Sequence, residues 1–202
     1  DLHSFPTRRS SDLSLLEHEI KGQTLTQIYD RWFNGPLQSE RDSITCRLND
    51  YEQQMHYDFI SGFESLIASL HAHGVKTAVV TSSNIPKMES VYRHQPTFQS
   101  LFDAILTSED FDRSKPDPDC YLKAAQKLGA QNDECIVFED SFNGLRAGKA
   151  AGMVVVGMAT TNSAEAIAPF SDYQATDYEH LAYDSLQSLL CSTCKTTQPL
   201  KP

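Results

Sequence analysis

The sequence predicts an α/β protein, a doubly wound parallel sheet with helices on both faces and a helical insertion on its N-terminal side. Three observations carry that prediction. From Ser61 onward, short β-branched runs alternate with helical stretches of about ten residues, the pattern of right-handed βαβ units. Between residue 14 and about residue 58, apolar residues recur only at helical spacing, so this stretch should hold no strand. The runs VKTAVVT, CIVFE and MVVVGM are short and apolar, as strands buried in a parallel sheet are.

The chain opens with DLHSFPTRRSSDL, which has neither a strand nor a helix repeat. Arg8-Arg9 ahead of Leu13 to Leu16 suggests an export signal, but that apolar run is broken by Glu17 and falls short of the roughly 7 to 15 residues such a signal needs. Residues 1–13 instead match the translation of a widely used short-read sequencing adapter. They are set aside from fold reasoning, and the natural N-terminal stretch is expected to be missing.

Thr24 and Gln27 form a capping box, after which Leu25, Ile28, Tyr29 and Trp32 predict a helix that Gly35-Pro36 stops. Ile44, Leu48, Tyr51 and Met55 continue the period in a second helix. Ser61 and Glu64 suggest another capping box, opening a helix with an apolar stripe of Phe63, Leu66, Ile67 and Leu70 that ends at Gly74. There follow a strand at VKTAVVT, a helix near 85–94, a strand at DAILT, and a helix from Pro118 to Leu128, capped by Asp117 and ended by Gly129. A strand at CIVFE, a helix from Phe142 to Ala151 stopped by Gly152, and a strand at MVVVGM complete the series. The expected division is a partial helical cap over 14–60, an α/β core over 61–190 and a flexible tail over 191–202.

An apolar fraction of 40% and 9 each of Gly and Pro place the chain among globular proteins. No apolar run approaches the roughly 18 residues that would span a membrane, so no membrane partner is expected. The net charge of −10, without a basic cluster, argues against nucleic acid, whose phosphates must be neutralised by Lys and Arg. The 5 cysteines form no regular framework, which suggests reduced thiols and a cytoplasmic protein, here expected to be a monomer. Cys191 and Cys194 are open to three readings: half a zinc site, a redox pair, or incidental residues of an unstructured tail.

Ligands of open α/β sheets bind beyond the carboxyl ends of the strands, a rule that selects three places. In VVTSSN a strand ends on Thr81, followed by Ser82, Ser83 and Asn84; hydroxyls and free backbone N–H groups at a helix start make an anion site, although any βα turn can carry a Ser or Thr cap. In RSKPDPDCYL, Lys115 lies between a strand and a helix and should be held near the same edge as Thr81, where an ammonium can neutralise a carboxylate and a phosphate together; a solvated loop lysine is the plainer alternative. In CIVFEDSFNGLRAG a buried strand ends on Glu139 and Asp140. Adjacent acids there repel unless a cation lies near, and such oxygen ligands suit Mg²⁺. Ser141 can cap the next helix, whose Gly144, Ala147, Gly148 and Ala151 offer a small face for close packing on the sheet.

A hydroxyl, a lysine and an acid pair on successive strand ends resemble three of the four motifs of the haloacid dehalogenase superfamily. The segments SKPDPDCYL and VFEDSFNGLRAGKAAGM are similar to the signatures of its phosphatase and β-phosphoglucomutase-like branch. The resemblance covers roughly residues 14–170, and HEIKGQTLTQIYD looks like part of that branch's helical cap, with a substrate-facing turn at Lys21-Gly22. It implies a Rossmann-like, Mg²⁺-dependent phosphatase acting on a small phosphorylated metabolite such as a sugar phosphate, through an aspartyl-phosphate. Thr81 would hold a phosphoryl oxygen with help from Ser82, Lys115 would bridge nucleophile and phosphate, and Asp140 would bind the metal, with Glu139 acting through a metal-bound water. The family's first motif, a D-x-D at the end of the central strand, supplies the nucleophile; the adapter-like segment stands in its place. Nucleophile and strand are thus expected to be missing, leaving two unpaired sheet edges at a gap. A sugar phosphomutase of the same branch is the alternative, but that group usually carries an Arg shortly after the Lys-Gly turn, where this chain has Gln23, Thr24 and Leu25. A non-catalytic anion- or metal-binding fragment is the other.

Overall fold

The computed structural model describes residues 19–194, so the adapter-like segment and the end of the expected tail lie outside the described residues. Helix α1 (Leu25–Trp32) starts on the predicted capping box: Thr24 Oγ1 accepts the Gln27 N–H at 3.3 Å, and Gln27 Oε1 accepts the Thr24 N–H at 3.2 Å. Gly35-Pro36 then opens a 3₁₀ segment leading into α2 (Arg41–Glu52). The second helix was expected to bury Tyr51 and reach Met55. Instead it stops at Glu52, Tyr51 is 67% exposed, and Glu52 is its buried residue. The reason is tertiary, because the Ser90 hydroxyl donates to the Glu52 carbonyl at 2.9 Å and turns that side of the helix inward.

Helix α3 (Phe63–Ala72) buries Leu66, Ile67 and Leu70 as its stripe predicts. The capping box expected at Ser61 does not form. Ser61 donates to the Glu179 carboxylate, and the helix is entered through Gly62 at φ 80°. A Cβ there would lie 2.4 Å from the Glu179 nitrogen, so the close passage of that backbone, as well as the positive φ, requires glycine.

The core continues through β1 (Ala78–Val80), α4 (Ile85–His94), β2 (Ala104–Leu106), α5 (Asp119–Leu128), β3 (Ile136–Glu139), α6 (Phe142–Ala150) and β4 (Val154–Met158). Three further elements had no clear signal: α7 (Ala164–Ile167), β5 (Tyr173–Ala175) and α8 (Tyr183–Cys194). Helix α8 carries Cys191, so the stretch expected to begin a flexible tail is still helical there. Asp117 does not cap α5 as a side-chain N-cap; its Oδ1 accepts the Asp119 N–H at 3.0 Å, and Pro118 takes the N-cap position.

All strand pairs are parallel, as alternation predicts, but they form two sheets rather than one: β1-β2, and β3-β4-β5. Among the described residues β1 has a ladder partner only in β2, and β3 only in β4. All three residues of β1 are accordingly only half-buried, where a fully buried strand was expected. In contrast, β4 lies between two neighbours and is buried throughout. The main core packs Leu145 and Ala147 of α6 with Val155 and Ile167, all at 0% exposure. Burying Leu145, Val155 and Ile167 contributes roughly 1.5–3 kcal/mol each. The small face of α6 allows this approach, since a Cβ on Gly148 would meet Val155 Cγ2 at 2.9 Å. No helix among the described residues is long and apolar enough to cross a membrane.

Candidate active site

The C-terminal ends of β1 and β3 converge on one buried ammonium. Lys115 is 4% exposed, and its Nζ donates to the Val80 carbonyl at 3.2 Å and to Glu139 Oε2 at 2.7 Å. It therefore ties the edge of one sheet to the edge of the other, and it lies next to Thr81 as the sequence suggests. The ammonium also sits 4.8 Å from the Tyr121 ring centroid, a cation–π distance.

Glu139 is held on every side. Its Oε2 also accepts the Tyr121 hydroxyl at 2.8 Å, while Oε1 accepts the Ser141 N–H at 3.0 Å, the Ser141 hydroxyl at 2.8 Å and the Asp140 N–H at 3.1 Å. Ser141 in turn caps α6 by accepting the Gly144 N–H at 3.1 Å, as predicted. Burial alone would raise the Glu139 carboxyl, but the Lys115 charge and the hydrogen bonds from Lys115, Ser141 and Tyr121 outweigh it, so the group titrates well below the usual carboxylate range. The Tyr121 phenol moves the other way, pushed well above its ordinary value by burial and by the Glu139 charge, so it remains a donor.

The repulsion expected between the adjacent acids is thus relieved by pointing them apart. Glu139 turns inward to Lys115, while Asp140 accepts from the Thr161 hydroxyl and its carbonyl takes Asn162 Nδ2 at 2.8 Å. Tyr121, Thr161 and Asn162 escape sequence reasoning. Thr161 and Asn162 lie in a loop with no motif, and Tyr121 reads simply as the apolar side of a helix.

Thr81 extends the parallel ladder by one residue, its N–H donating to the Leu106 carbonyl at 2.9 Å. Helix α4 is capped by Asn84, whose Oδ1 accepts the Lys87 N–H at 3.1 Å. The capping role open to Thr81 and Ser82 therefore falls to Asn84. Thr81 Oγ1 accepts only the Ser83 N–H, at 3.1 Å, and its proton has no acceptor among the described residues. Ser82 donates to the Gly22 carbonyl at 2.7 Å, and Asn143 Nδ2 donates to the Lys21 carbonyl at 2.8 Å. The Lys21-Gly22 turn is thereby docked on both strand-end loops. At φ 79°, with Ser141 Oγ only 2.6 Å from where a Cβ would stand, Gly22 admits no side chain without displacement.

These residues enclose a cavity of about 500 Å³ that brings Lys21, Gly22, Thr81, Ser82, Lys115, Glu139 and Asp140 together. Leu25, Ile28 and Leu48 of α1 and α2 line it as well. Among the described residues no three His, Cys, Asp or Glu side chains gather at one point. Mg²⁺ does not require that, because it is commonly bound by one or two carboxylates together with waters and substrate phosphates. Asp140 fits such a role. Glu139, with both oxygens engaged by protein donors, does not fit as a direct ligand.

Cys120 adjoins this site at 0% exposure, and burial pushes its thiol up to about 11, so it is no nucleophile at neutral pH. Under a maleimide reagent, Cys46 and Cys191, both exposed, are expected to react in minutes while Cys120 reacts only after denaturation. Labelling of Cys120 in the native protein at the rate of Cys46 would contradict its placement in the core.

A sequence profile described as haloacid dehalogenase-like hydrolase matches residues 14–158. The chain is 38% identical over 109 residues to validoxylamine A 7'-phosphate phosphatase of Streptomyces hygroscopicus subsp. limoneus, a match covering 54% of this chain and 51% of that protein. It is 36% identical over 97 residues to hexitol phosphatase A of Escherichia coli (strain K12), covering 48% and 44%. The matched stretch thus spans about half the length of these curated relatives. Among solved structures, CbbY from Rhodobacter sphaeroides in complex with phosphate superposes with a TM-score of 0.72 at 22% identity, covering 89% of this chain and 83% of that one. A HAD hydrolase, family IA, variant 3 from Entamoeba histolytica superposes with a TM-score of 0.76 at 18% identity, covering 91% and 84%. With a family profile matching residues 14–158, most of its length, the chain belongs to the haloacid dehalogenase-like hydrolase family.

Proposed function

We propose that this chain is part of a Mg²⁺-dependent phosphatase acting on a small phosphorylated metabolite such as a sugar phosphate. The observation that carries the reading is the buried Lys115 ammonium, held between Val80 and Glu139 beside the free hydroxyl proton of Thr81. A fixed cation and a fixed donor at one point form a preorganised site for a phosphoryl group, and phosphoryl transfer depends mainly on such positioning and charge stabilisation.

In this reading the Thr81 hydroxyl donates to a phosphoryl oxygen, assisted by the Ser82 loop. Lys115 neutralises charge on the phosphoryl group, and Glu139 with Tyr121 keeps the ammonium aimed. Asp140 would hold Mg²⁺, which when bound supplies further neutralisation of the phosphoryl oxygens. The Lys21-Gly22 turn and the helices behind it act as a cap, whose apolar side chains exclude water. The attacking group is the aspartate that the family resemblance implies; no described residue lining the cavity holds that place. A strand bearing it would suit the unpartnered edges of β1 and β3; its carboxylate would displace the substrate's alcohol from phosphorus to give an aspartyl-phosphate, which water would hydrolyse back to the aspartate and inorganic phosphate.

Calorimetry of inorganic phosphate, with and without MgCl₂, tests the reading. Phosphate is expected to bind the chain more tightly with Mg²⁺. Thr81→Val is expected to weaken binding by about ten- to a hundredfold, the effect of one hydrogen bond to a charged group. Absence of phosphate binding, or equal binding by Thr81→Val, would refute it.

A further inference from the structure

Where α2 meets the first turn of α4, the cavity wall carries a second ion pair that the phosphate end does not use. Lys87 Nζ lies 3.0 Å from Glu52 Oε1, with side-chain exposures of 32% and 10%, and both residues line the cavity. The backbone of each is fixed. The Ser90 hydroxyl pins the Glu52 carbonyl at 2.9 Å, and the Asn84 cap fixes the turn that bears Lys87.

We propose that Glu52 and Lys87 recognise the leaving group, selecting a neutral polyhydroxyl group and excluding a second phosphate; this rests on the phosphatase reading above. A carboxylate only accepts and an ammonium only donates. No described side chain donates a hydrogen bond to Glu52 Oε2, and the Lys87 ammonium, held beside Glu52 as an ion pair, keeps protons for a ligand oxygen. A vicinal diol offers what this pair lacks, an O–H for the carboxylate and an oxygen for the ammonium. Leu25, Ile28 and Leu48 on the same cavity wall provide apolar surface for the carbon skeleton. A second phosphate could accept from Lys87, but it has no proton to offer Glu52 and would bring a like charge against that carboxylate in a partly desolvated wall.

The test is calorimetry on the full 202-residue chain with three probes: inorganic phosphate, glucitol 6-phosphate and fructose 1,6-bisphosphate. The native chain is expected to bind the monophosphate at least about tenfold more tightly than the bisphosphate. Glu52→Gln keeps the shape and the contact with Lys87, and should move that ratio about tenfold toward the bisphosphate, a far larger change than any in phosphate affinity. Lys87→Gln, the second arm should Glu52→Gln not fold, should weaken glucitol 6-phosphate about tenfold. If phosphate binds but the ratio stays within about twofold in both variants, the pair is only structural and the proposal fails while the phosphate site stands. If phosphate binds neither the native chain nor the variants, the underlying phosphatase reading falls and takes this proposal with it.

Discussion

Lys115→Met is expected to destabilise the protein by about 3–5 kcal/mol at neutral pH, because it leaves the Glu139 carboxylate buried without its counter-charge. Glu139 is 10% exposed, and of the groups donating to it only Lys115 carries charge. The pH dependence gives the prediction a sign. In the native protein the Glu139 carboxyl is depressed, so its contribution is fully present above the unfolded value of about 4.3 and is lost as pH falls through the lower folded value. In the variant, burial acts without Lys115 and favours the protonated acid. The deficit relative to the native chain should therefore be largest near neutrality and shrink on acidification. Urea unfolding at about pH 7 and about pH 4 measures both limbs. Adding Glu139→Gln to the variant should recover most of the loss, since the buried charge is then gone. A deficit under about 1 kcal/mol, or one that does not change with pH, would show that the pair matters little to the fold.

Gly144→Ala should be nearly as damaging, although alanine is ordinarily the better helix residue by about 1 kcal/mol. A Cβ at Gly144 would lie 2.0 Å from Glu139 Cδ and 2.1 Å from its Oε2. The carboxylate cannot simply move aside, because it is held at once by Lys115, Tyr121 and Ser141. The added methyl must therefore push α6 from the sheet or break the network, a cost at or above the roughly 1–3 kcal/mol of ordinary overpacking. A double-mutant cycle isolates the cause. In a Glu139→Ala background the penalty of Gly144→Ala should fall below about 1 kcal/mol, and an unchanged penalty would place the clash elsewhere.

These two residues also show how far local patterns reach. The alternation of β-branched runs with short helices announced the parallel α/β order, and the boundaries of α1, α4 and β3 follow from caps and apolar runs that act within a few residues. The same local logic placed Thr81, Lys115 and Glu139-Asp140 at strand ends, and all of them line one cavity. It failed wherever the partner was distant. Ser61 was expected to cap its own helix but bonds Glu179, 118 positions away, and the inward side of α2 was set by Ser90 rather than by its own period. Gly144 was read as a packing residue against the sheet, whereas it makes room for a carboxylate.

The order of elements and the identity of the strand-end residues were therefore legible in the chain alone, because helix and strand periods, caps and turn residues are short-range chemistry. Which of two adjacent acids turns inward, that the inward one is met by a loop lysine and a tyrosine of α5, that β1 and β3 each keep an unpaired edge among the described residues, and that Glu52 pairs with Lys87 on the cavity wall were settled only by tertiary contact. A charge inside a protein goes where its counter-charge and hydrogen-bond donors are, and those come from parts of the chain that no local pattern brings together.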